Sequence, residues 1–169
     1  MIRNVKITDA QEIMEIYNYY ITNTHVTFEE EPLTLTEMEN RIKETTVNFP
    51  WIVYVDKNKV LGYAYASRWR TRSAYKHTAE STVYLHHDST GRGIGTALYS
   101  NLLNSIKEAG YHAVMGSLGL PNDKSAGLHQ KFGYVKVAHM KEVGYKFGKW
   151  IDVGYWELLL TKEIDHTAQ

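Results

Sequence analysis

Apolar and polar positions along this chain follow two periods, and the switches between them mark out the elements. Val5-Lys6-Ile7 alternates briefly and predicts a first strand. Asp9 and Glu12 have the spacing of a capping box, and Ile13, Ile16, Tyr17, Tyr20 and Ile21 then recur at helical intervals. Thr34 and Glu37 repeat that signature ahead of Leu35, Met38 and Ile42. Trp51 to Val55 and Val60 to Trp69 read as strands joined by a hairpin at Lys57-Asn58-Lys59, and Thr78 to Leu85 as a further strand. Ile94, Leu98, Leu102 and Ile106 line one face of a helix that Gly110 ends. Ala113 to Leu120 predicts a strand broken by Pro121-Asn122, and a short helix then runs to Phe132 and stops at Gly133. Tyr134 to Met140 predicts a strand. A loop with Gly144, Gly148 and Trp150 follows, and Val153 to Thr161 is the last strand.

The order is therefore β-α-α-β-β-β-α-β-α-β-β. Hairpins in its middle predict an α+β fold with mixed α/β layers: a mostly antiparallel central sheet with flanking helices, not a doubly wound parallel sheet. The 169 residues contain no repeat, low-complexity segment or linker, so one domain over 1–169 is expected.

Composition removes several function classes. The formal net charge is zero, which leaves no overall field to attract nucleic acid or a membrane surface. The chain has no cysteine, so disulfides, thiolate zinc sites and cysteine nucleophiles are excluded. No apolar run approaches a membrane span, and Met1-Ile2-Arg3-Asn4-Val5-Lys6 does not resemble a signal peptide, so a cytoplasmic protein is expected. Thirteen tyrosines and four tryptophans suggest aromatic-lined pockets or an interface. Eight histidines raise the question of a metal. His86 and His87 are adjacent, which on a strand would send them to opposite faces, and no His-x-x-x-His or carboxylate cluster is read beside them. No metal site is expected.

The chemistry concentrates in Leu85-His86-His87-Asp88-Ser89-Thr90-Gly91-Arg92-Gly93-Ile94-Gly95, a strand end, a turn and three alternate glycines opening a helix. Glycines admit positive φ and let backbone N–H groups approach an anion, and the helix start adds unpaired donors and positive dipole character. The segment is a candidate phosphate cradle, or else a glycine-rich turn that caps a helix. No Lys-Ser or Lys-Thr follows a glycine, so it is not a Walker A loop. A dinucleotide fingerprint fails in both registers, because the sixth position is Thr96 from Gly91 and Leu98 from Gly93.

The spacing Thr90-Gly91-Arg92-Gly93-Ile94-Gly95 is similar to the (Q/R)-x-x-G-x-(G/A) loop of the GCN5-related N-acetyltransferase superfamily, with Thr90 in place of the leading Gln or Arg. Seven further segments, in order, resemble the phosphinothricin and methionine sulfoximine N-acetyltransferase branch. They are Tyr17-Asn18, Thr27-Phe28-Glu29, Gly62 to Ala66, Arg70 to Tyr75, Thr78-Ala79-Glu80 before Val83-Tyr84, Leu128 to Tyr134, and Val143 to Asp152.

The resemblance implies transfer of acetyl from acetyl-CoA to the α-amine of a small amino acid or analogue, by direct attack and without a metal. It places Val83, Leu85, Thr90, Gly91, Arg92, Gly93, Ile94, Gly95 and Thr96 on the CoA, with Asn122 on its pantetheine arm or acting only as an N-cap. An α-amine titrates near ~8 and is only roughly one-tenth neutral at pH 7, so a base helps. Glu80 is that base in the family. Alternatively it is a strand carboxylate paired with Arg68 or Arg70. A backbone N–H near Tyr84 or Leu85 would face the oxyanion. His129 stands where many members have a tyrosine. It would protonate the leaving thiolate or hold a water, or else it is a structural histidine. Arg70 and Arg72 suit a substrate carboxylate or phosphinate, with Phe28, Glu29, Tyr75 and Trp150 completing the substrate site, often beside a homodimer interface. Acetylation of another amine (a protein N-terminus, an aminoglycoside or a polyamine) and a non-catalytic acyl-CoA-binding module remain the alternatives.

Overall fold

The computed structural model describes residues 1–160. Its elements are β1 (Ile2–Asn4), α1 (Ala10–Asn23), α2 (Leu35–Thr46), β2 (Trp51–Asp56), β3 (Lys59–Arg68), β4 (Thr78–Leu85), α3 (Ile94–Glu108), β5 (Ala113–Gly119), α4 (Asp123–Lys131), β6 (Val135–Lys146) and β7 (Lys149–Leu159). The seven strands form one sheet in the order β1-β2-β3-β4-β5-β7-β6. Every pairing is antiparallel except β4–β5, so the expected mixed sheet with flanking helices is what forms.

Strand alternation divides the core into two layers. On one face Ile52, Ala64, Ala66, Ala79 and Val114 pack under the apolar stripe Leu98, Leu102 and Ile106 of α3. On the other Trp51, Val53, Val60 and Tyr63 pack under Ile13, Ile16, Met38 and Ile42 of α1 and α2. The Thr34–Glu37 capping box forms as read: Thr34 Oγ1 accepts from the Glu37 N–H, and the Glu37 carboxylate accepts from the Thr34 N–H. The β2–β3 hairpin turns through Lys57 and Asn58, both at positive φ, as a two-residue turn of matching twist requires.

Three local readings change. The first strand is Ile2–Asn4, and Ile7–Asp9 is a 3-10 turn. Asp9 does not cap α1 through its side chain. Its carboxylate accepts two bonds from Arg3 at 2.7 Å and one from the Lys6 N–H, and Glu12 instead accepts from the Val60 N–H. The expected loop between Met140 and Val153 is a long hairpin: β6 runs on to Lys146, and the turn is made by Phe147 and Gly148 at φ 51° and 73°. Gly144 lies within β6 because a Cβ there would fall 2.3 Å from the Phe28 ring. Thr161, placed at the end of the last strand, lies outside the described residues.

Candidate active site

The site begins where β4 and β5 part. These parallel neighbours pair only through Thr78↔Ala113, Ala79↔Val114 and Glu80↔Met115, although both strands continue. Beyond Glu80 the edge of β4 facing β5 is free. At the apex the Ser81 hydroxyl donates to the Met115 carbonyl at 3.2 Å, filling in where the ladder stops.

Pairing parity identifies which groups face the gap. His86 N–H donates to Leu61 O at 2.9 Å. Counting back by twos along the antiparallel ladder, Tyr84 and Thr82 direct their amides at β3, while Val83 and Leu85 direct theirs away from it. Tyr84, expected as one of two oxyanion donors, is therefore excluded from that role. Its ring packs instead among Tyr17, Tyr20 and Tyr63. Leu85 retains the geometry required, and Val83 joins it.

The gap opens into a cavity of about 1020 Å³. Glu80, Thr82 and Tyr84 of one sheet face and Ser81, Val83 and Leu85 of the other all line it, so the cleft passes through the sheet. A ligand from each side can meet there.

The cleft is also lined by Thr90, Gly91, Gly93, Gly95 and Thr96. Gly91 and Gly93 have φ of 76° and 77°, and Gly93 is the N-cap of α3. Their lack of a side chain serves backbone conformation, since a Cβ on either meets nothing within 4 Å. The first amides of α3 have no helical acceptor and point out of its start. That arrangement fits a diphosphate. Ile94 contributes only backbone here, because its side chain is in the core, and exposed Arg92 is not among the lining residues. Asn122 caps α4, accepting from the Ser125 N–H at 3.2 Å, so the N-cap reading holds, and it also lines the cleft. Lys124 also lines the cleft, and Lys131 donates to Thr96 Oγ1 at 3.4 Å; no motif marked these cations beforehand.

Glu80 projects into the cleft and accepts from Ser117 Oγ at 2.8 Å. Burial raises its carboxyl above the usual range, against the opposing effects of the Ser117 hydrogen bond and the Arg70 charge. Neither Arg68 nor Arg70 forms an ion pair with it among the described residues.

His129 is 3% exposed and sits against Gly116, where a Cβ would come 2.3 Å from Nε2. Its Nδ1 sits 2.8 Å from the Ser125 carbonyl, which can only accept, so the proton is on Nδ1. Burial holds the ring below the usual histidine pKa, against the Ser125 hydrogen bond, so Nε2 is bare and accepts from the Tyr99 hydroxyl at 2.7 Å. Tyr99 in turn meets Ser81, which also meets Tyr134. The imidazole has no proton directed at the cleft, and its expected role as direct donor gives way to holding Tyr99.

The expected substrate residues divide. Phe28 lines the cleft. Glu29 does not; both its oxygens are held by Arg41 at 2.7 and 2.9 Å, with Tyr17 donating to one. Arg70 stacks on Trp69, whose ring meets Tyr155 in the cleft wall, and Arg72, Tyr75 and Trp150 are exposed away from the lining. His86 and His87 do not point apart, because the strand ends at Leu85. Their rings stack 4.4 Å apart, and with Asp88 their ligand atoms lie within 4.8 Å of one another. The opposite-face argument thus fails. Asp88 N–H is already engaged with His86 Nδ1, and His87 is stacked on Tyr19.

Comparison with known proteins agrees with this geometry. A model of the acetyltransferase (GNAT) domain matches residues 2–154. Phosphinothricin N-acetyltransferase of Streptomyces viridochromogenes is 38% identical over 156 residues, covering 92% of this chain and 85% of the relative. The L-methionine sulfoximine/L-methionine sulfone acetyltransferase of Pseudomonas aeruginosa is 31% identical over 164 residues, covering 94% of each. Among solved structures, a phosphinothricin acetyltransferase from Sinorhizobium meliloti in complex with AcCoA superimposes with a TM-score of 0.92 at 34% identity, covering 95% of this chain and 88% of that one. The chain belongs to the GNAT acetyltransferase family.

Proposed function

We propose that the protein moves acetyl from acetyl-CoA to the α-amine of a small amino acid or analogue of the phosphinothricin, methionine sulfoximine or methionine sulfone type. The observation that carries this reading is the interrupted β4–β5 ladder, which puts two unpaired amides, a carboxylate and a glycine-rich helix start around one cleft. The diphosphate sits on the amides from Gly91 to Thr96, with Lys124 and Lys131 nearby. The thioester carbonyl meets the Val83 or Leu85 N–H, and a donor aimed at a developing oxyanion contributes a few kcal/mol, about 2.7–4 where one has been removed.

The amine enters from the face that carries Glu80. Glu80 takes its proton, directly or through a water, and the freed lone pair attacks the carbonyl carbon. Attack leaves the nitrogen cationic; collapse of the tetrahedral species breaks the C–S bond, and that nitrogen gives up its second proton to water as the neutral amide forms. A thiol titrates near ~8.5, so the departing thiolate takes a proton from water without a dedicated acid. Arg70 supplies a positive charge that acts on Glu80 and is the first candidate for the substrate's carboxylate. We place the reaction in the cytoplasm, where an acetyl-CoA donor is available, and within one domain. A homodimer is supported by the apolar side chains that the β6–β7 hairpin leaves in water: Val143, Tyr145, Phe147 and Trp150 are 55–64% exposed.

A thiol-release assay with acetyl-CoA and a panel of amines tests the reading. Saturable turnover with at least one amino-acid analogue is expected. Turnover only with aminoglycosides, polyamines or peptide N-termini would overturn the substrate class, and bound CoA without turnover of any amine would overturn the enzyme. Light scattering at two protein concentrations tests the dimer.

A further inference from the structure

Lys146 is a buried cation that the chemistry above does not use. It is 2% exposed, at the end of β6; its ammonium donates one hydrogen bond, to the Thr27 carbonyl at 2.8 Å, and lies 5.0 Å from the centroid of the exposed Phe147 ring. No carboxylate of the described residues forms an ion pair with it. Burial pulls its pKa below the usual lysine value, with Glu30 and Glu29 opposing from a distance. A lysine is rarely buried without a carboxylate partner, and a carbonyl and a ring leave part of the cost of keeping it there uncompensated, which calls for a cause.

The cause lies in what Thr27 carries. Residues 25–29 cross from the end of α1 to the β6–β7 hairpin. Thr27 is held on its side chain by the Tyr17 hydroxyl at 2.8 Å and on its carbonyl by Lys146. The next residue, Phe28, sets the tip of its ring against Gly144, two positions before Lys146 on the same face of β6, and lines the cleft that Glu80 enters. Gly119 takes the other side, with the His25 carbonyl 2.7 Å and the Phe28 ring 3.5 Å from where its Cβ would be. Two missing side chains create the seat, and one ammonium fixes the backbone above it.

We propose that Lys146 is a positioning residue that sets the amine pocket: by holding the Thr27 carbonyl it fixes the Phe28 ring as a wall beside Glu80. The inference rests on the transferase reading and deepens it. Lys146 touches neither substrate. Its loss releases the loop on the amine's side and leaves the glycine cradle intact, so the two substrates respond differently.

The test is steady-state kinetics on the full chain, with acetyl-CoA and the amine varied in turn, using whichever amine the parent acetylates. Lys146→Met is expected to raise the amine KM by about tenfold, equivalent to about 1.4 kcal/mol. The acetyl-CoA KM is expected to stay within about twofold, well under the tenfold step. In the Phe28→Ala background, Lys146→Met is expected to add nothing further to the amine KM, because both act through one ring. An equal rise in both KM values, a fall in kcat alone, or multiplying effects with Phe28→Ala would overturn the proposal. Lys146→Arg, which keeps the charge, serves if the Met variant does not fold. A selective rise in amine KM then supports the inference and a rise in both constants refutes it. A parent that binds CoA but acetylates nothing refutes the transferase reading itself, whereas an active parent with an unselective variant refutes only the role of Lys146.

Discussion

Replacing Gly93 by alanine separates the work of the glycine loop from general stability. A Cβ at Gly93 meets no atom within 4 Å, so no clash arises, and the φ of 77° is the whole perturbation. An L-residue held in the left-handed region costs about 1–2 kcal/mol. The free loop can relax some of that strain. A loop whose amides must wrap a diphosphate cannot, so the strain falls on binding. Gly93→Ala should therefore weaken acetyl-CoA about 5- to 30-fold. Gly110 provides the control. It has φ of 84°, is equally open, and sits at the opposite end of α3. Gly110→Ala should lose stability in denaturant while binding acetyl-CoA like the parent. Calorimetric titration with CoA and urea unfolding of both variants make the comparison. Parental CoA affinity in Gly93→Ala, or equal weakening in Gly110→Ala, would refute the cradle.

Glu80→Gln should lower kcat by about 10²–10⁴ and abolish the acid limb of the pH–rate profile. Because the fold raises the Glu80 pKa, the stability it contributes is present at low pH and lost as pH rises through its folded value. Near neutrality its charge is a burden, so Glu80→Gln should melt higher than the parent there; a lower Tm would contradict its burial. Asp9 has the opposite sign. Burial alone would raise its pKa, but the Arg3 and Lys6 bonds outweigh that and hold it below the usual range. Its stabilisation is present above the unfolded pKa and lost as pH falls through the folded one, so Asp9→Asn should flatten the acid side of a Tm–pH curve. Tyr99→Phe strips the donor from His129 Nε2 and should cost about 1–3 kcal/mol in urea unfolding. A kcat loss as large as that of Glu80→Gln would return this pair to the chemistry.

What the chain showed by itself was local. The α3 stripe, the Thr34–Glu37 box and the glycine loop each depend on residues a few positions apart, and each formed. The misread segments have partners that the periodic pattern does not mark, some near in sequence and some far. Asp9 has a capping residue's spacing from Glu12, yet Arg3 and the Val60 amide claim the two carboxylates. Gly144 reads as a breaker until Phe28, more than a hundred positions earlier, is seen lying on it. His129 shows the limit most clearly. Its position was legible, but its proton was not, because that depends on the Ser125 carbonyl and the Tyr99 hydroxyl.

The alternation of Thr78 to Leu85 sorts its side chains correctly but says nothing of its edges. A strand has two edges, and chemistry here needs one of them empty. Had β5 followed β4 for its full length, the Val83 and Leu85 amides would be consumed in the ladder. Had β4 stopped at Ser81, there would be no amides to aim. The strands instead part after three rungs, with the Ser81 hydroxyl meeting Met115 at the fork and the His129 ring resting on Gly116 just beyond it. Buried amides left unpaired are costly, so this edge is tolerable only where water or a substrate carbonyl can reach it. The through-sheet cleft supplies that access, and on the proposed mechanism the same gap that keeps the donors free admits the thioester carbonyl they would polarise.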